Sequence, residues 1–473
     1  IDLSARFSRT KINGGGANDA NSSLNTDKRL KYAVQYTPFP VPGLSDELNS
    51  DNEEPSSLLI NPLTSLIDND TRKERTTYNL GAGFTWEIIK DLRFKSEFGY
   101  DDYRYNTDRY YGPSTYYVRN TPSSTNQGKP AVTLTRQSRS TIRNTNTVNY
   151  DFKKLIKDEK HHLNALIGQE YVIAKNNKIT NTSHGFPSTF TADDCINLMT
   201  QGTPFEITNY SDPNDVLLSY FGRLNYRLLD RYLFEANLRA DASSRFHKDN
   251  RWGIFPSFSA GWRINQEDFM QQIDWINNLK VRASWGTLGN INNVGNYDYF
   301  QLYNNGADYN FDNEAVKGVL ESKPANEKLG WETVALTDIG VDFDIFNGLL
   351  SLTADYYVKN TSDILLSYNV PLETGIWSNP SQNIAKVRNS GFELALTHRK
   401  SFGDFSYMVS ANIATNHNEI KDMGESDDII QNGGDKIRYI QREARRVVVE
   451  HTADGLDVHA VLERHRGEGV YKS

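Results

Sequence analysis

The chain has 473 residues, a formal net charge of -8, 26 Tyr, 22 Phe and a single cysteine. That balance offers no basic stripe to neutralise phosphates, which excludes nucleic acid as an expected partner, and the lone Cys195 excludes an internal disulfide. A mean hydropathy of -0.63 and the lack of a continuous apolar run of about 18 residues exclude transmembrane helices, but not a membrane barrel, in which half of each strand faces a polar lumen.

In chain order, a short strand is predicted over residues 2–10, a Gly/Asn/Ser loop over 13–27 and a second strand over 30–36. A long polar segment follows, holding Pro38, Pro40, Pro42, Pro55 and Pro62, which suits loop rather than ladder. From Thr76 a two-residue period sets in. Tyr78, Leu80, Ala82, Phe84, Trp86 and Ile88 share one face, and a tight turn at Lys90 and Asp91 leads into Leu92, Phe94, Ser96, Phe98 and Tyr100. A loop is expected over 106–140. The next strand pair, 141–152 and 162–174, is joined by a short charged turn, and a loop is expected over 175–214.

The pattern is clearest from Val216 to Ile264. Tyr220, Gly222, Leu224, Tyr226 and Leu228 oppose Phe221, Arg223, Asn225 and Arg227. After a turn around Asp230, the apolar Tyr232, Phe234, Ala236, Leu238 and Ala240 oppose Leu233, Glu235, Asn237, Arg239 and Asp241. Side chains alternate across a strand, so these are two strands of one antiparallel hairpin, each with an apolar and a polar face. Further strands are predicted over 255–264 and 279–287, then, after a loop over 288–330, over 333–345 and 350–358. Asn347-Gly348 joins the latter two as a two-residue hairpin turn. A loop to Asn389 precedes 391–400 and 405–416, joined at Gly403-Asp404.

About twelve long strands thus pair through short turns, and long polar loops separate the hairpins, which is how outer-membrane barrels are built. The expected fold is all-β, a transmembrane antiparallel up-and-down β-barrel. Its rival is a soluble β-rich binding or adhesion protein, which would bury the same apolar face against a second sheet.

Five ordered strings carry a family resemblance: YFGRLNYRLLDRYLFEANLRADASSRF (220–246), RWGIFPSFSAGWRI (251–264), LKVRASWGTLGN (279–290), WETVALTDIGVDF (331–343) and NIAKVRNSGFELAL (383–396). With LKYAVQYTPFPVPG (30–43), they make residues 1–424 resemble the SusC/RagA family of TonB-linked outer-membrane transporters of Bacteroidota. The resemblance implies an incomplete part of a 22-stranded barrel of the plugged type, sited in the bacterial outer membrane against its lipid. It implies TonB coupling through an N-terminal plug and a SusD-like surface lipoprotein that closes over the barrel. It also implies a dimer of such pairs and import of oligosaccharide, sometimes peptide, cargo. The strings themselves read as structural: Arg239, Asp241, Ser243, Ser244 and Arg245 are expected to pin a strand top and its loop, and Gly391 to admit a bend or a close backbone approach.

Two departures from the family are expected to matter. No plug or TonB box precedes Ile1, so the chain as written is not expected to gate or couple, and a barrel wall with open edges in lipid is expected to misfold. Residues 425–473 are rich in Arg and His and lack two-residue alternation. They are expected to form a non-barrel tail arising from a frameshift or assembly error in the coding sequence, the alternative being a helical appendage.

No catalytic constellation emerges, so no enzyme is expected. Gly14, Gly15 and Gly16 lack the Lys-Ser/Thr of a phosphate loop, His161 and His162 sit at a predicted turn without metal-ligand spacing, and Cys195 has no visible catalytic partner. Asp193 and Asp194, and the acidic loop at Asp308, Asp312 and Glu314, offer hard oxygen ligands of the kind calcium takes but match no calcium-loop spacing, so no cofactor is expected. The functional hint lies in the loops. Tyr110, Tyr111, Tyr116, Tyr117, Tyr297, Tyr299, Tyr303 and Tyr309 are candidate cargo or partner contacts, because rings present apolar faces with a polar handle; packing between loops is the alternative. On the apolar strand face, Leu238→Lys is expected to impair assembly and Arg239→Lys, on the polar face, is not.

Overall fold

Two-residue alternation becomes long antiparallel strands. The structure, a computed structural model, describes residues 1–13, 68–113, 115, 118, 125–156, 158–311, 314–367, 373, 379–403 and 405–423, with the backbone of short strand segments at 431–432, 435–436, 438–439, 447–448 and 459–461. The segment 14–67, Tyr116, Tyr117, Asp312 and most of the tail lie outside the described residues, as do the side chains of Asp308, Tyr309 and Glu314.

The strands are β1 (Asp2–Asn13), β2 (Asn69–Ile89), β3 (Leu92–Tyr111), β4 (Ala131–Asp151) and β5 (His161–His184), followed by helix α1 (Ala192–Asn197) and β6 (Thr203–Ser211). Next come β7 (Asp215–Leu228), β8 (Tyr232–Ser243), β9 (Trp252–Arg263), β10 (Ile276–Asn290), β11 (Leu302–Phe311) and β12 (Glu314–Lys323). The series ends with β13 (Glu332–Ile345), β14 (Leu350–Ser367), β15 (Ser381–Phe402), β16 (Phe405–Ala414) and β17 (His417–Asp422).

The chain divides into two compact units, the first comprising Ile1–Phe84, Glu97–Asn144 and Val172–Asp215, the second Thr85–Ser96, Thr145–Tyr171 and Val216–Ser473. In the first, β1 lies antiparallel along β2 from Asp2 opposite Gly83 to Asn13 opposite Arg72, and β6 lies along the distal part of β5. In the second, β7, β8, β9, β10, β13, β14, β15 and β16 pair antiparallel, each with the next. Neighbours in sequence are neighbours in the sheet, which is the up-and-down order. β11 and β12 pair with each other as a separate two-stranded hairpin between β10 and β13.

The short turns have the backbone that twisted hairpins need. Leu229 and Asp230 both take φ 55°, Asn347 and Gly348 take 57° and 79°, and Asp91 and Gly403 take 74° and 57°. Such left-handed turns match the right-handed twist of the flanking strands.

The strands outrun their alternation, and this corrects the sequence-based loops. β3 continues to Tyr111 and β4 begins at Ala131, so the loop over 106–140 contracts to 112–130. The segment 175–214 holds the end of β5, α1 and β6; the segment 288–330 holds β11 and β12; and β14 and β15 extend to Ser367 and back to Ser381. The reason is physical. Alternation reports that one face is apolar, whereas the ladder needs only backbone partners. Past the lipid band both faces can be polar, and the extra rungs are polar ones: Thr133 with Thr182 at 3.1 Å, Thr135 with Thr180 at 3.4 Å, and Gln137 donating to Asn176 at 3.0 Å.

In the second unit the apolar face stands exposed. Leu224, Phe234, Leu238, Ile254, Phe258, Ile339, Tyr356 and Phe392 all lie on it. Trp252 and Trp262 share this face of β9, ten residues apart. At about 3.3 Å per residue and about 40° of tilt they stand about 25 Å apart along the normal, the height of the apolar band of an outer-membrane barrel and the spacing of its two aromatic girdles.

Candidate functional site

The opposite face is polar and cross-linked. Arg239 Nε donates to both carboxylate oxygens of Asp241 at 2.8 and 3.0 Å, and its Nη2 donates to Ser219 Oγ at 2.9 Å and to Glu170 at 3.2 Å. The guanidinium lies 5.4 Å from the Phe221 ring centroid, and Phe221 in turn rests where a Cβ on Gly168 would stand. A second row runs through Arg282, Gly340 and Asp355, which the register places side by side. Arg282 reaches across the flat spot at Gly340 to Asp355 at 2.5 Å and also meets Asp338 at 3.1 Å and Asp342 at 3.4 Å. A hollow of about 510 Å³ opens nearby, lined by Asn164, Asn225, Glu235, Lys280 and Arg282 among others. Such a surface offers fixed donors and acceptors to a hydrophilic solute.

The Arg239 fork revises one expectation. A lysine there keeps the charge but cannot hold Asp241 in two bonds while reaching Ser219 and Glu170. Arg239→Lys is expected to cost about 1.5–3 kcal/mol, the worth of hydrogen bonds to charged groups, read by urea unfolding in vesicles; unchanged stability would show that the fork carries no weight.

At the loop end, Ser244 Oγ accepts from Val216 N at 2.9 Å and Ser243 Oγ accepts from Arg245 N at 3.2 Å. Arg245 Nη1 donates to the carbonyls of Ile291 and Val294 at 3.1 and 2.9 Å. Phe246, fully buried, packs with Val294 and Leu329, with Tyr299 and Trp331 against them. The RADASSRF string therefore ties the top of β8 to the 291–299 segment. Gly391 likewise stands where a Cβ would strike the Thr415 carbonyl and the Tyr357 ring.

The candidate tyrosines part company. Tyr110 and Tyr111 end β3 rather than lying in a loop, and they are 7% and 4% exposed. Tyr110 packs with Val132, Phe186 and Cys195, and Tyr111 with Val118 and Ala131. Their rings form the core under the loops, so no face is open to stack on a sugar. Tyr299 packs on the Phe246 cluster and lies 4.2 Å from the Phe300 ring, whereas Tyr297 is 37% exposed, 6.2 Å from Phe300, and Tyr303 on β11 is exposed. Tyr116 and Tyr117 lie outside the described residues.

Burial pushes the Cys195 thiol up to about 11 and the Tyr110 hydroxyl up to about 12. A thiol so held is a poor nucleophile near neutrality. Native protein at pH 8 is expected to resist maleimide at Cys195 and to react on denaturation; rapid native labelling would contradict the packing. Asp194 caps α1 through Thr191, and Asp193 pairs with Arg72, so both acids are engaged locally. His161 begins β5 rather than sitting in a turn, its Nδ1 2.7 Å from the Tyr226 hydroxyl.

At the turn end Glu267, nearly buried, receives the Tyr232 hydroxyl at 2.7 Å, the Trp262 indole N–H at 2.9 Å and Arg231 Nη1 at 2.9 Å. The Tyr232 and Trp262 hydrogen bonds, with the Arg231 charge beside them, hold its carboxyl below the usual range. A lowered folded value means that this stabilisation is complete above the ordinary carboxylate range and is lost as pH falls through the lowered value. Glu267→Gln is expected to flatten the acid limb of a stability–pH curve; an unaltered limb would discount the carboxylate's role.

An exposed apolar band of bilayer height backed by a charged face defines the class: a membrane-spanning antiparallel β-barrel wall. The profile of the family described as "TonB dependent receptor-like, beta-barrel" matches residues 15–455, and the chain belongs to that family. It is 40% identical over 238 residues to TonB-dependent receptor SusC of Bacteroides thetaiotaomicron, covering 49% of this chain and 24% of SusC. It is 36% identical over 232 residues to TonB-dependent receptor P39 of Formosa agariphila, covering 49% of this chain and 21% of P39. A solved structure of the RagAB peptide transporter superposes with a TM-score of 0.70 at 25% identity, over 89% of this chain and 45% of that one. The matched stretches thus span about a quarter of SusC and about a fifth of P39. It is an outer-membrane protein of the SusC/RagA type, and the soluble adhesion alternative is set aside, because the apolar face is turned outward rather than buried against a second sheet.

Proposed function

We propose that this chain is part of the wall of a TonB-dependent importer of oligosaccharide or peptide cargo. The observation that carries the reading is the pairing of faces: Leu238, Phe258 and Ile339 exposed on one side, and the Arg239 and Arg282 networks beside a polar hollow on the other. A hydrophilic solute crossing beside such a wall meets exchangeable hydrogen bonds instead of hydrocarbon. Kinship with SusC and the RagAB peptide transporter supports both cargo classes. On this reading TonB acts through a plug, a SusD-like lipoprotein closes the loop end, and two such pairs associate.

The test uses the native host. An in-frame deletion of the full gene is grown on purified glycans and on defined peptides as sole carbon sources, with complementation. Loss of growth on one glycan or peptide class, restored by the wild-type gene and not in a strain depleted of TonB, is the expected result. Growth unchanged on every substrate of both classes would overturn the import reading.

A further inference from the structure

We infer that the apolar face of β8, β9, β10 and β13 carries a built trough for one acyl chain of a zwitterionic phospholipid in the turn-side leaflet. Register makes the trough. Phe234, Ala260, Ala283 and Ile339 stand side by side on four successive strands. One step towards the loops, Phe258 and Trp285 are directly paired, their rings 6.2 Å apart and 10° from parallel. The two alanines and Ala236 form a floor, and the aromatic and Ile339 side chains form its walls. The hollow holds about 450 Å³, within the range of about 300–1,000 Å³ typical of small-ligand sites.

Its place decides the occupant. Ala260 lies two residues from Trp262, on the hydrocarbon side of the turn-end girdle, so the trough is continuous with the lipid-facing band. A lining that is almost wholly apolar gives an extended peptide no partners for its backbone groups, which are costly to leave unpaired in hydrocarbon. An alkyl chain has none to satisfy. Just beyond Trp262, at the turn, Arg231 and the exposed carboxylate of Asp268 stand 2.8 Å apart. Arg231 is also held by Glu267 at 2.9 Å, so the cluster carries one net negative charge, which attracts the ammonium of an aminophospholipid headgroup and repels an anionic headgroup that lacks one. The inference is independent of what the protein imports.

The test takes the full-length protein in nanodiscs holding equal phosphatidylethanolamine and phosphatidylglycerol, released for native mass spectrometry. The wild type is expected to retain phosphatidylethanolamine in preference to phosphatidylglycerol. Ala283→Phe, which fills the floor, is expected to cut that retention about tenfold, equivalent to about 1.4 kcal/mol. Ala354→Phe, on the same apolar face of β14 but outside the trough, is expected to leave it unchanged. Folding is read by heat-modifiable gel mobility, and Ala260→Leu stands in should Ala283→Phe fail to fold. No retained lipid, equal retention of both lipids, or retention unmoved by filling overturns the proposal. So does loss of a dimer on filling without loss of lipid, which would make the trough an interface between copies.

Discussion

Leu238→Lys is expected to abolish stable assembly in the outer membrane, whereas Ala242→Lys, four residues along the same face of the same strand, is tolerated. Leu238 is exposed and pairs with Pro256, within a residue of the midpoint between Trp252 and Trp262. A lysine there must carry its charge into the centre of the hydrocarbon, at a cost of about 2–4 kcal/mol. Ala242 pairs with Trp252 itself, at the girdle. A lysine at that height reaches water, and the cost falls to about 0–1 kcal/mol. The check is heat-modifiable mobility of the outer-membrane fraction for both variants, followed by urea titration of whichever assembles. Equal effects at the two positions would mean that the two tryptophans do not mark the edges of the band.

The second large effect is at Phe246. The side chain is fully buried against Val294 and Leu329, with its ring 5.3 Å from that of Trp331. Truncation to alanine removes the ring and leaves a cavity among segments that hydrogen bonds hold in place, since Arg245 grips the Ile291 and Val294 carbonyls and Trp331 Nε1 donates to the Arg251 carbonyl at 2.8 Å. The site can therefore collapse only partly, and Phe246→Ala is expected to cost about 3–5 kcal/mol. Limited proteolysis should show new cuts in 244–251 and 291–300 before any in the strands. A loss under 1 kcal/mol, or cleavage spread evenly over the chain, would contradict the view of Phe246 as the anchor of this loop end.

How much of this was legible in the sequence differs from one end of the wall to the other. The β7–β8 hairpin was readable nearly residue by residue, because Leu224, Phe234 and Leu238 must meet lipid while Arg223, Glu235 and Arg239 must not. The Asn347-Gly348 turn was readable because few residues accept its positive φ. The upper halves of β3, β4 and β5 were hidden. Thr133, Thr135 and Gln137 keep their ladder in water, where neither face imposes a period. The candidate tyrosines were hidden for a related reason. Tyr110 and Tyr297 look alike in a polar stretch, yet one fills a core with Cys195 and the other stands partly open. A signal existed for Tyr110 and Tyr111, since Ala131 and Val132 resume an apolar run across the loop, as core partners would.

The sequence by itself determined the class of protein, the strand faces, the hairpin turns and the family strings, because lipid and backbone geometry act on each residue locally and leave a periodic record. Only the tertiary structure decided which side chains meet across strands: the Arg239 fork, the Arg282 reach over Gly340, the three-donor seat of Glu267 and the alanine trough beside the stacked Phe258 and Trp285. Those contacts depend on register between segments tens of residues apart, and register is a property of the paired sheet that no single strand carries.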